Sequence, residues 1–141
     1  MKKFSFSEFK KIYSKVPRLT VEIILKTNKG IVLTLREFPP CKGQWHIPGG
    51  TVLKGENLEE AVRRVVKEEI GLEVKVKKMI GIIEYNFTEK YFSQPIGIAY
   101  LVKSLNNNYN IENNKRKFFK KLPLNLIKDQ RKFLKEKFDF K

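Results

Sequence analysis

The amino-acid sequence predicts an α/β fold, in which a mixed β-sheet is sandwiched between helices in an α/β/α arrangement. Segments with helical periodicity alternate with apolar runs rich in Val, Ile and Leu, which is typical of sheets covered by helices. A chain of 141 residues can form one core and bury about two-thirds of its unfolded surface. We therefore expect a single domain over residues 1–141.

The chain begins with a predicted helix that is followed by a β-hairpin. The apolar face of this helix consists of Phe6, Phe9, Ile12 and Tyr13. Strands at 20–26 and 31–37 are separated by the turn signal Asn28-Lys29-Gly30, and this spacing favours a hairpin. The later predicted elements are a long β segment at 73–87, a strand at 96–102, a loop at 105–114, an aromatic strand at 117–120 and a helix at about 124–137.

A helix over about residues 57–70 has the clearest local signals in the chain. Asn57, with Glu60 three residues later, forms a capping-box-like start that stabilises a helix by about 1 kcal/mol. Gly71 supplies a stop at the other end. The apolar stripe that should pack on the sheet consists of Leu58, Ala61, Val62, Val65 and Val66.

Two adjacent carboxylates, Glu68 and Glu69, lie in the last turn of this helix. The helix dipole disfavours negative charge there, and neighbouring carboxylates repel each other, so we expect a positive group beside them. Hard oxygen ligands of this kind suit Mg2+ or Mn2+. The alternative is a solvated acidic face of the helix that binds nothing.

Composition narrows the class of protein. Cys41 is the only cysteine, which excludes an internal disulfide and a thiolate zinc cluster. No apolar run reaches the length of a membrane span, and the N-terminal segment lacks the pattern of a signal peptide, so we expect no membrane partner and a cytoplasmic location. The net charge of +15 attracts the phosphates of nucleotides and RNA. Because the basic residues are spread along the whole chain, RNA is only a weakly supported partner.

Residues 50–72 read GTVLKGENLEEAVRRVVKEEIGL and resemble the Nudix box, G-x5-E-x7-R-E-U-x-E-E-x-G-U, in which U is aliphatic. The matching positions are Gly50, Glu56, Arg64, Val66, Glu68, Glu69, Gly71 and Leu72. The resemblance implies a Nudix fold and a Mg2+-dependent hydrolase of nucleoside diphosphates linked to another group. It also implies that Glu68, Glu69 and the Gly50 carbonyl bind the metal. Arg64 is the implied catalytic arginine.

Val65 is the one defined position that departs from the box, because the family has glutamate there. A glutamate at this position would lie three and four residues before Glu68 and Glu69 and would join their cluster. In the family this position often supplies a metal ligand or the base that activates water, and valine supplies neither. Val65 can also be read as a residue that widens the buried stripe of the helix.

Glu112 is the suggested replacement, both as catalytic base and as metal ligand. By resemblance, Nudix proteins commonly place such a glutamate six residues before an aromatic pair, and Glu112 stands six residues before Phe118-Phe119. An acidic residue in a polar loop is the equally ranked alternative. Glu84 and Glu89 are weaker candidates for the base.

Residues 5–72 are similar to the GDP-mannose mannosyl hydrolase branch of the family, which also carries an aliphatic residue at the position of Val65. The shared features include an N-x-G turn, a strand that ends in arginine, and the motif G-x-W-x-x-P-G-G at 43–50. The similarity implies a nucleotide-sugar substrate such as GDP-mannose, cleaved at the sugar carbon with a late-loop histidine as base. The only histidine here is His46, inside that motif, so attack at carbon and attack at phosphorus both stay open.

Three residues in or before the motif are candidate substrate contacts. Arg36, which ends the second strand, either neutralises a phosphate or is an exposed strand charge. His46 titrates near neutrality and could act as a base or contact phosphate, although a partly solvated place on a short strand is the simpler reading. Gly49 allows the backbone to approach a phosphate or metal closely.

Three functions are compatible with the sequence. The first is hydrolysis of a nucleotide sugar. The second is pyrophosphohydrolysis of nucleoside triphosphates or RNA ends, and the third is nucleotide binding without catalysis after loss of the base at position 65. A homodimer is also compatible with the sequence.

Overall fold

The structure is a computed structural model that describes residues 3–39, 41–86 and 91–140. Its elements in chain order are α1 (Phe6–Tyr13), β1 (Arg18–Thr27), β2 (Gly30–Leu35), β3 (Trp45–His46), β4 (Gly49–Thr51), α2 (Leu58–Glu69), β5 (Val74–Glu84), β6 (Pro95–Ser104), β7 (Arg116–Phe119) and α3 (Lys128–Lys137). None of the helices in the described ranges is both long enough and apolar enough to cross a membrane.

β1 is the central strand of a mixed sheet. It runs parallel to β6, with Val21 opposite Ile98, and antiparallel to β2 and β4. β5 pairs with the far side of β6, while β3 and β7 both pair with β2. The pairing of Thr27 with Gly30 confirms the predicted hairpin.

Two hydrophobic cores cover the two faces of the sheet, and this confirms the α/β/α arrangement. The core beneath α2 includes Val21, Ile23, Leu25, Val62, Val65 and Val66. The core beneath α3 includes Ile24, Ile31, Leu33, Ile47, Phe133 and Leu134. Because both faces of β1 are covered, residues 20–25 are all buried, which explains why this strand is a nearly continuous apolar run.

α2 begins where the sequence predicts, and its cap is a complete capping box. The Glu60 backbone N–H donates to Asn57 Oδ1 at 2.8 Å, and the Asn57 backbone N–H donates to Glu60 Oε1 at 3.2 Å. Two polar groups at the helix start are therefore satisfied reciprocally. The helix ends at Glu69, and Gly71 follows with a φ of +81° that favours glycine.

The C-terminal helix is shorter than the sequence predicts, because it begins at Lys128 and not near residue 124. Ile127 has an extended backbone, and its N–H donates to the Trp45 carbonyl at 3.1 Å. Leu126 forms a parallel bridge with the same tryptophan. These two buried residues belong to an extended segment beside β3, so their apolar spacing imitated a helical face.

Two strands also end earlier than predicted. β2 ends at Leu35, so Arg36 lies just beyond it. There its backbone N–H donates to the Gln44 carbonyl, and its carbonyl accepts the Gly43 N–H. β5 ends at Glu84, and the candidate base Glu89 lies outside the described residues.

Candidate active site

Arg64 on α2 connects the loop before the helix to the last turn of the helix. Its Nε and Nη2 donate to the two carboxylate oxygens of Glu56 at 2.7 and 2.9 Å, and Nη1 donates to Glu68 Oε1 at 2.7 Å. Nη2 also donates to the Thr51 carbonyl at 2.8 Å. The Glu56 side chain is inaccessible to solvent, and hydrogen bonds from Arg64 lower its pKa. Arg64 therefore fixes Glu68 relative to the end of β4.

Glu68 and Glu69 have different electrostatic surroundings. Burial acts to raise the pKa of Glu68, but hydrogen bonds from Lys3 and Arg64 outweigh it and leave the pKa below its ordinary value. Burial raises the pKa of Glu69, and the negative charge of Glu68 raises it further. Arg116 donates to the Glu69 backbone carbonyl at 2.7 Å. Positive groups thus lie at the C-terminal end of α2, as its charge predicts.

Val65 is a packing residue that lies against Gly50. Only 2% of Val65 is exposed, and a Cβ added to Gly50 would lie 2.9 Å from Val65 Cγ2. Contacts this short leave no room for a side chain at position 50. Val65 therefore makes an apolar contact with β4, at the residue whose carbonyl is the proposed metal ligand, where the Nudix box has a glutamate.

Two cavities meet at Glu69. The first, which we call the α1 cavity, has a volume of about 720 Å³ and lies between the N-terminal segment and the box. Its lining residues are Lys3, Phe4, Phe9, Tyr13, residues 50–55, Arg64, Val65, Glu68 and Glu69. The second, the late-loop cavity, has a volume of about 420 Å³. Its lining includes Arg36, His46, Gly49, Glu69, Asn113, Lys115 and Arg116.

His46 lies on β3 in a defined tautomer. Its Nδ1 is 2.8 Å from the Ile47 carbonyl oxygen, which only accepts, so Nδ1 carries the proton and Nε2 accepts from the Thr34 hydroxyl at 3.0 Å. Burial, together with the nearby charge of Arg36, lowers the pKa of His46 to about 4. The imidazole is therefore neutral at neutral pH, so its contribution at this edge is polar and not cationic.

Glu112 lies in the loop before β7 and accepts a hydrogen bond from that strand. Its Oε1 accepts the backbone N–H of Phe118 at 2.9 Å, across the six-residue spacing seen in the sequence. Glu112 is exposed and is not among the residues that line the late-loop cavity, to which this loop contributes Asn113 and Lys115 and β7 contributes Arg116. Glu84 ends β5 and is exposed.

Arg116 and Lys3 are site residues that sequence reasoning missed. Arg116 Nε donates to the Ile111 carbonyl at 2.7 Å, so the same guanidinium contacts both the loop before β7 and the end of α2. Lys3 forms an ion pair with Glu68 from 65 residues away in the chain. The sequence carried one relevant signal, the expected positive group beside the two glutamates, but it gave no distance between these segments.

Comparison with known proteins identifies the family. The family model described as NUDIX domain matches residues 16–135. The chain belongs to the Nudix hydrolase family. It is 37% identical over 78 residues to the low-salt glycan biosynthesis protein Agl8 of Haloferax volcanii, and this alignment covers 55% of this chain and 50% of that protein. It is 44% identical over 66 residues to an ADP-ribose pyrophosphatase of Methanocaldococcus jannaschii, which covers 47% and 39%, respectively.

Those alignments therefore span half or less of each relative's length. A crystal structure of a NUDIX hydrolase from Nitrosomonas europaea superposes with a TM-score of 0.67. The superposition covers 84% of this chain and 68% of the other at 20% identity, and this likeness establishes the Nudix fold.

The donor set of the Nudix box fits a hard divalent cation. Glu68, Glu69 and Gly50 line the same cavity and offer carboxylate and carbonyl oxygens. Within residues 3–39, 41–86 and 91–140, no three His, Cys, Asp or Glu side chains form a group that could hold a metal ion by themselves. Two carboxylates suffice for a hard divalent cation that keeps several waters and binds substrate phosphates.

Glu22 is a buried carboxylate beside the Nudix site that sequence reasoning did not single out. It accepts hydrogen bonds from the Tyr85 hydroxyl at 2.8 Å and the Thr20 hydroxyl at 3.2 Å. A Cβ added to Gly49 or Gly97 would lie 2.4 or 2.5 Å from its oxygens, so both glycines make room for it. Burial raises the pKa of Glu22 to about 7. A charged residue inside the apolar run of β1 was the available signal.

We expect Arg64→Met to lower the free energy of unfolding by about 3 kcal/mol, because it leaves the buried Glu56 carboxylate without its partner. Denaturant unfolding would measure the loss. Arg63→Met is the matched control, since the ion pair of Arg63 with Glu59 is exposed and 3.9 Å long and should contribute less than about 1 kcal/mol. Equal losses in the two variants would contradict a structural role for the Arg64 network.

Glu22 should make folding stability fall as pH rises. Below pH 4.5 the carboxyl is protonated in both states, whereas between about 4.5 and 7 the unfolded state ionises first, which costs about 3 kcal/mol in total. Glu22→Gln should remove this decrease, and denaturant unfolding at a series of pH values would measure it. The exposed Glu84→Gln should retain it. Parallel stability profiles for wild type and Glu22→Gln would refute the assignment.

Proposed function

We propose that this Nudix protein is a Mg2+-dependent hydrolase of a nucleoside diphosphate linked to another group, with nucleotide sugars as the preferred substrates. The observation that carries the proposal is the position of Glu68 and Glu69, which line one cavity with Gly50 while Arg64 holds Glu68 in place. Mn2+ is the alternative metal on the same donor chemistry.

Glu68, Glu69 and the Gly50 carbonyl would hold the metal. When bound, a divalent cation neutralises diphosphate charge and lowers the pKa of coordinated water. Arg36 and Lys115 line the late-loop cavity next to Glu69, where cationic side chains attract and orient an anionic diphosphate.

Val65 leaves the catalytic base to another segment, and we assign it to Glu112. This assignment requires the carboxylate to exchange its hydrogen bond with the Phe118 backbone N–H for a water molecule. His46 would act as a neutral substrate contact, because its pKa of about 4 and its bond to Thr34 disfavour a cationic role. Gly49 lines the late-loop cavity together with His46.

The preference for nucleotide sugars has two supports. One is the similarity of residues 5–72 to GDP-mannose mannosyl hydrolases. The other is the relative from Haloferax volcanii, which is named for glycan biosynthesis and thus agrees with a sugar-containing substrate. The relative named as an ADP-ribose pyrophosphatase falls within the same chemical class, since ADP-ribose is a nucleoside diphosphate linked to a sugar.

Turnover of a nucleotide sugar should depend on Glu69. With Mg2+ or Mn2+, we expect cleavage of at least one of GDP-mannose, GDP-glucose and ADP-ribose, and Glu69→Gln should lower the rate at least ~100-fold, or about 2.7 kcal/mol of barrier. Product chromatography measures the rate, and Glu73→Gln, an exposed carboxylate just beyond α2, is the control.

Near-normal activity of folded Glu69→Gln would remove Glu69 from the metal site. Cleavage confined to nucleoside triphosphates or triphosphorylated RNA would replace the nucleotide-sugar proposal with the pyrophosphohydrolase alternative. If none of these compounds is cleaved with either metal but nucleotides still bind, the protein is a nucleotide-binding protein without turnover, as the loss of the box glutamate at Val65 allows.

The point of attack can be read from the fate of the water oxygen. Reaction in water labelled with heavy oxygen places the label in the free sugar if carbon is attacked, and in a phosphate product if phosphorus is attacked. The presence of Glu112 as a candidate base favours phosphorus, whereas the upstream similarity favours carbon. Since the chain has no late-loop histidine, we expect label in phosphate, and mass spectrometry of the separated products decides.

A further inference from the structure

The α1 cavity has an aromatic wall that the metal chemistry does not use. Phe4, Phe9 and Tyr13 line the side formed by the N-terminal segment, opposite residues 50–55 of the Nudix box. The cavity ends at Glu68 and Glu69, the two carboxylates assigned to the metal. An aromatic surface and a diphosphate-binding end therefore lie in one continuous space.

These aromatic side chains are not part of a hydrophobic core. α1 contains no buried residue, and Phe4 is 46% exposed. Phe9 and Tyr13 pack edge to face with ring centroids 4.8 Å apart, and each keeps part of its surface accessible. Exposed aromatic surface that lines a concave space is typical of ligand sites.

The wall is held in place from two directions. The Arg18 guanidinium lies over the Phe9 ring at 5.3 Å and donates to Thr51 Oγ1 at 2.9 Å, so it joins α1 to β4. Lys3 forms an ion pair with Glu68 and joins the N-terminal segment to α2. A wall that is anchored on both sides loses little conformational freedom when a ligand binds.

We propose that the α1 cavity is the nucleobase subsite, where Phe4 and Tyr13 stack against the base of a nucleoside diphosphate. The volume of about 720 Å³ is sufficient for a base and a ribose. A nucleotide matches both ends of the cavity, because its base is a flat π-system and its diphosphate is anionic. Lys3 and Lys54 add positive charge to the lining. This subsite rests on the proposed function for the position of the diphosphate.

Stacking of a base on an aromatic side chain contributes about 1–3 kcal/mol, which corresponds to about 5- to 150-fold in affinity. The contribution should be absent from a ligand that has the diphosphate but no base. Comparison of a nucleoside diphosphate with inorganic pyrophosphate therefore isolates the aromatic wall from the metal end.

The test measures binding of GDP, ADP, UDP and pyrophosphate by calorimetry in Mg2+ buffer. Phe4→Ala should weaken at least one nucleoside diphosphate five-fold or more, while the affinity for pyrophosphate changes less than two-fold. Tyr13→Leu should act in the same direction. The matched control is Phe6→Ala, because Phe6 belongs to α1, is 66% exposed, and faces Phe92 in a different cavity.

The proposal is overturned if Phe4→Ala weakens pyrophosphate as much as nucleotides, if Phe6→Ala has the same effect, or if wild type binds no nucleoside diphosphate. Failure of the proposed hydrolysis is distinct. Nucleotide binding that depends on Phe4 without turnover refutes the enzyme and supports the subsite. Turnover with an unchanged KM in Phe4→Ala refutes the subsite and leaves the enzyme. Thermal unfolding of each variant verifies that it is folded.

Discussion

The bidentate ion pair between Arg64 and Glu56 is the interaction on which the geometry of the Nudix site depends. An inaccessible carboxylate is costly unless it is fully paired, and Glu56 also accepts the Leu53 backbone N–H at 2.8 Å. The same guanidinium donates to Glu68 and to the Thr51 carbonyl. The ion pair with Glu56 therefore also positions the Glu68 carboxylate at the end of α2 and the last residue of β4. One ion pair thus fixes three segments of the box relative to one another: β4, the loop before α2, and the last turn of α2.

The two faces of β4 contact side chains of different polarity. Successive residues of a strand point to opposite faces, and here Gly49 lies against Glu22 while Gly50 lies against Val65. On the α2 side the box carboxylate is replaced by an apolar contact. On the other side of the same strand lies the buried carboxyl group of Glu22, whose pKa is raised to about 7 by burial. Both glycines are needed because each faces a side chain with no space for a Cβ.

Two of the many basic residues of this chain contact the negatively charged end of α2. Lys3 and Arg116 come from opposite ends of the chain and meet at the C-terminal end of α2, where the helix dipole and two glutamates concentrate negative potential. Arg116 also binds the late loop through the Ile111 carbonyl. The spread of lysines along the sequence conceals this arrangement, since clustering in space needs no clustering in sequence.

The sequence alone determined the features that depend on local spacing. The Asn57–Glu60 cap, the buried stripe of α2 and the hairpin between β1 and β2 follow from helical and strand periodicities that act over a few residues. The Nudix box identified Glu68, Glu69 and Arg64 as a group for the same reason, because one helix carries all three. The false extension of α3 through Leu126 and Ile127 shows the limit, since apolar spacing does not distinguish a helical face from a strand-like segment beside Trp45.

Only the tertiary structure decided which distant groups surround that helix. The contact of Lys3 with Glu68, the contact of Arg116 with the end of α2, and the burial of Glu22 between two glycines join residues dozens of positions apart. The hydrogen bond between His46 and Thr34 likewise joins two paired strands. Such contacts arise from the packing of sheet and helices, and packing is a property of the whole fold that no local pattern encodes.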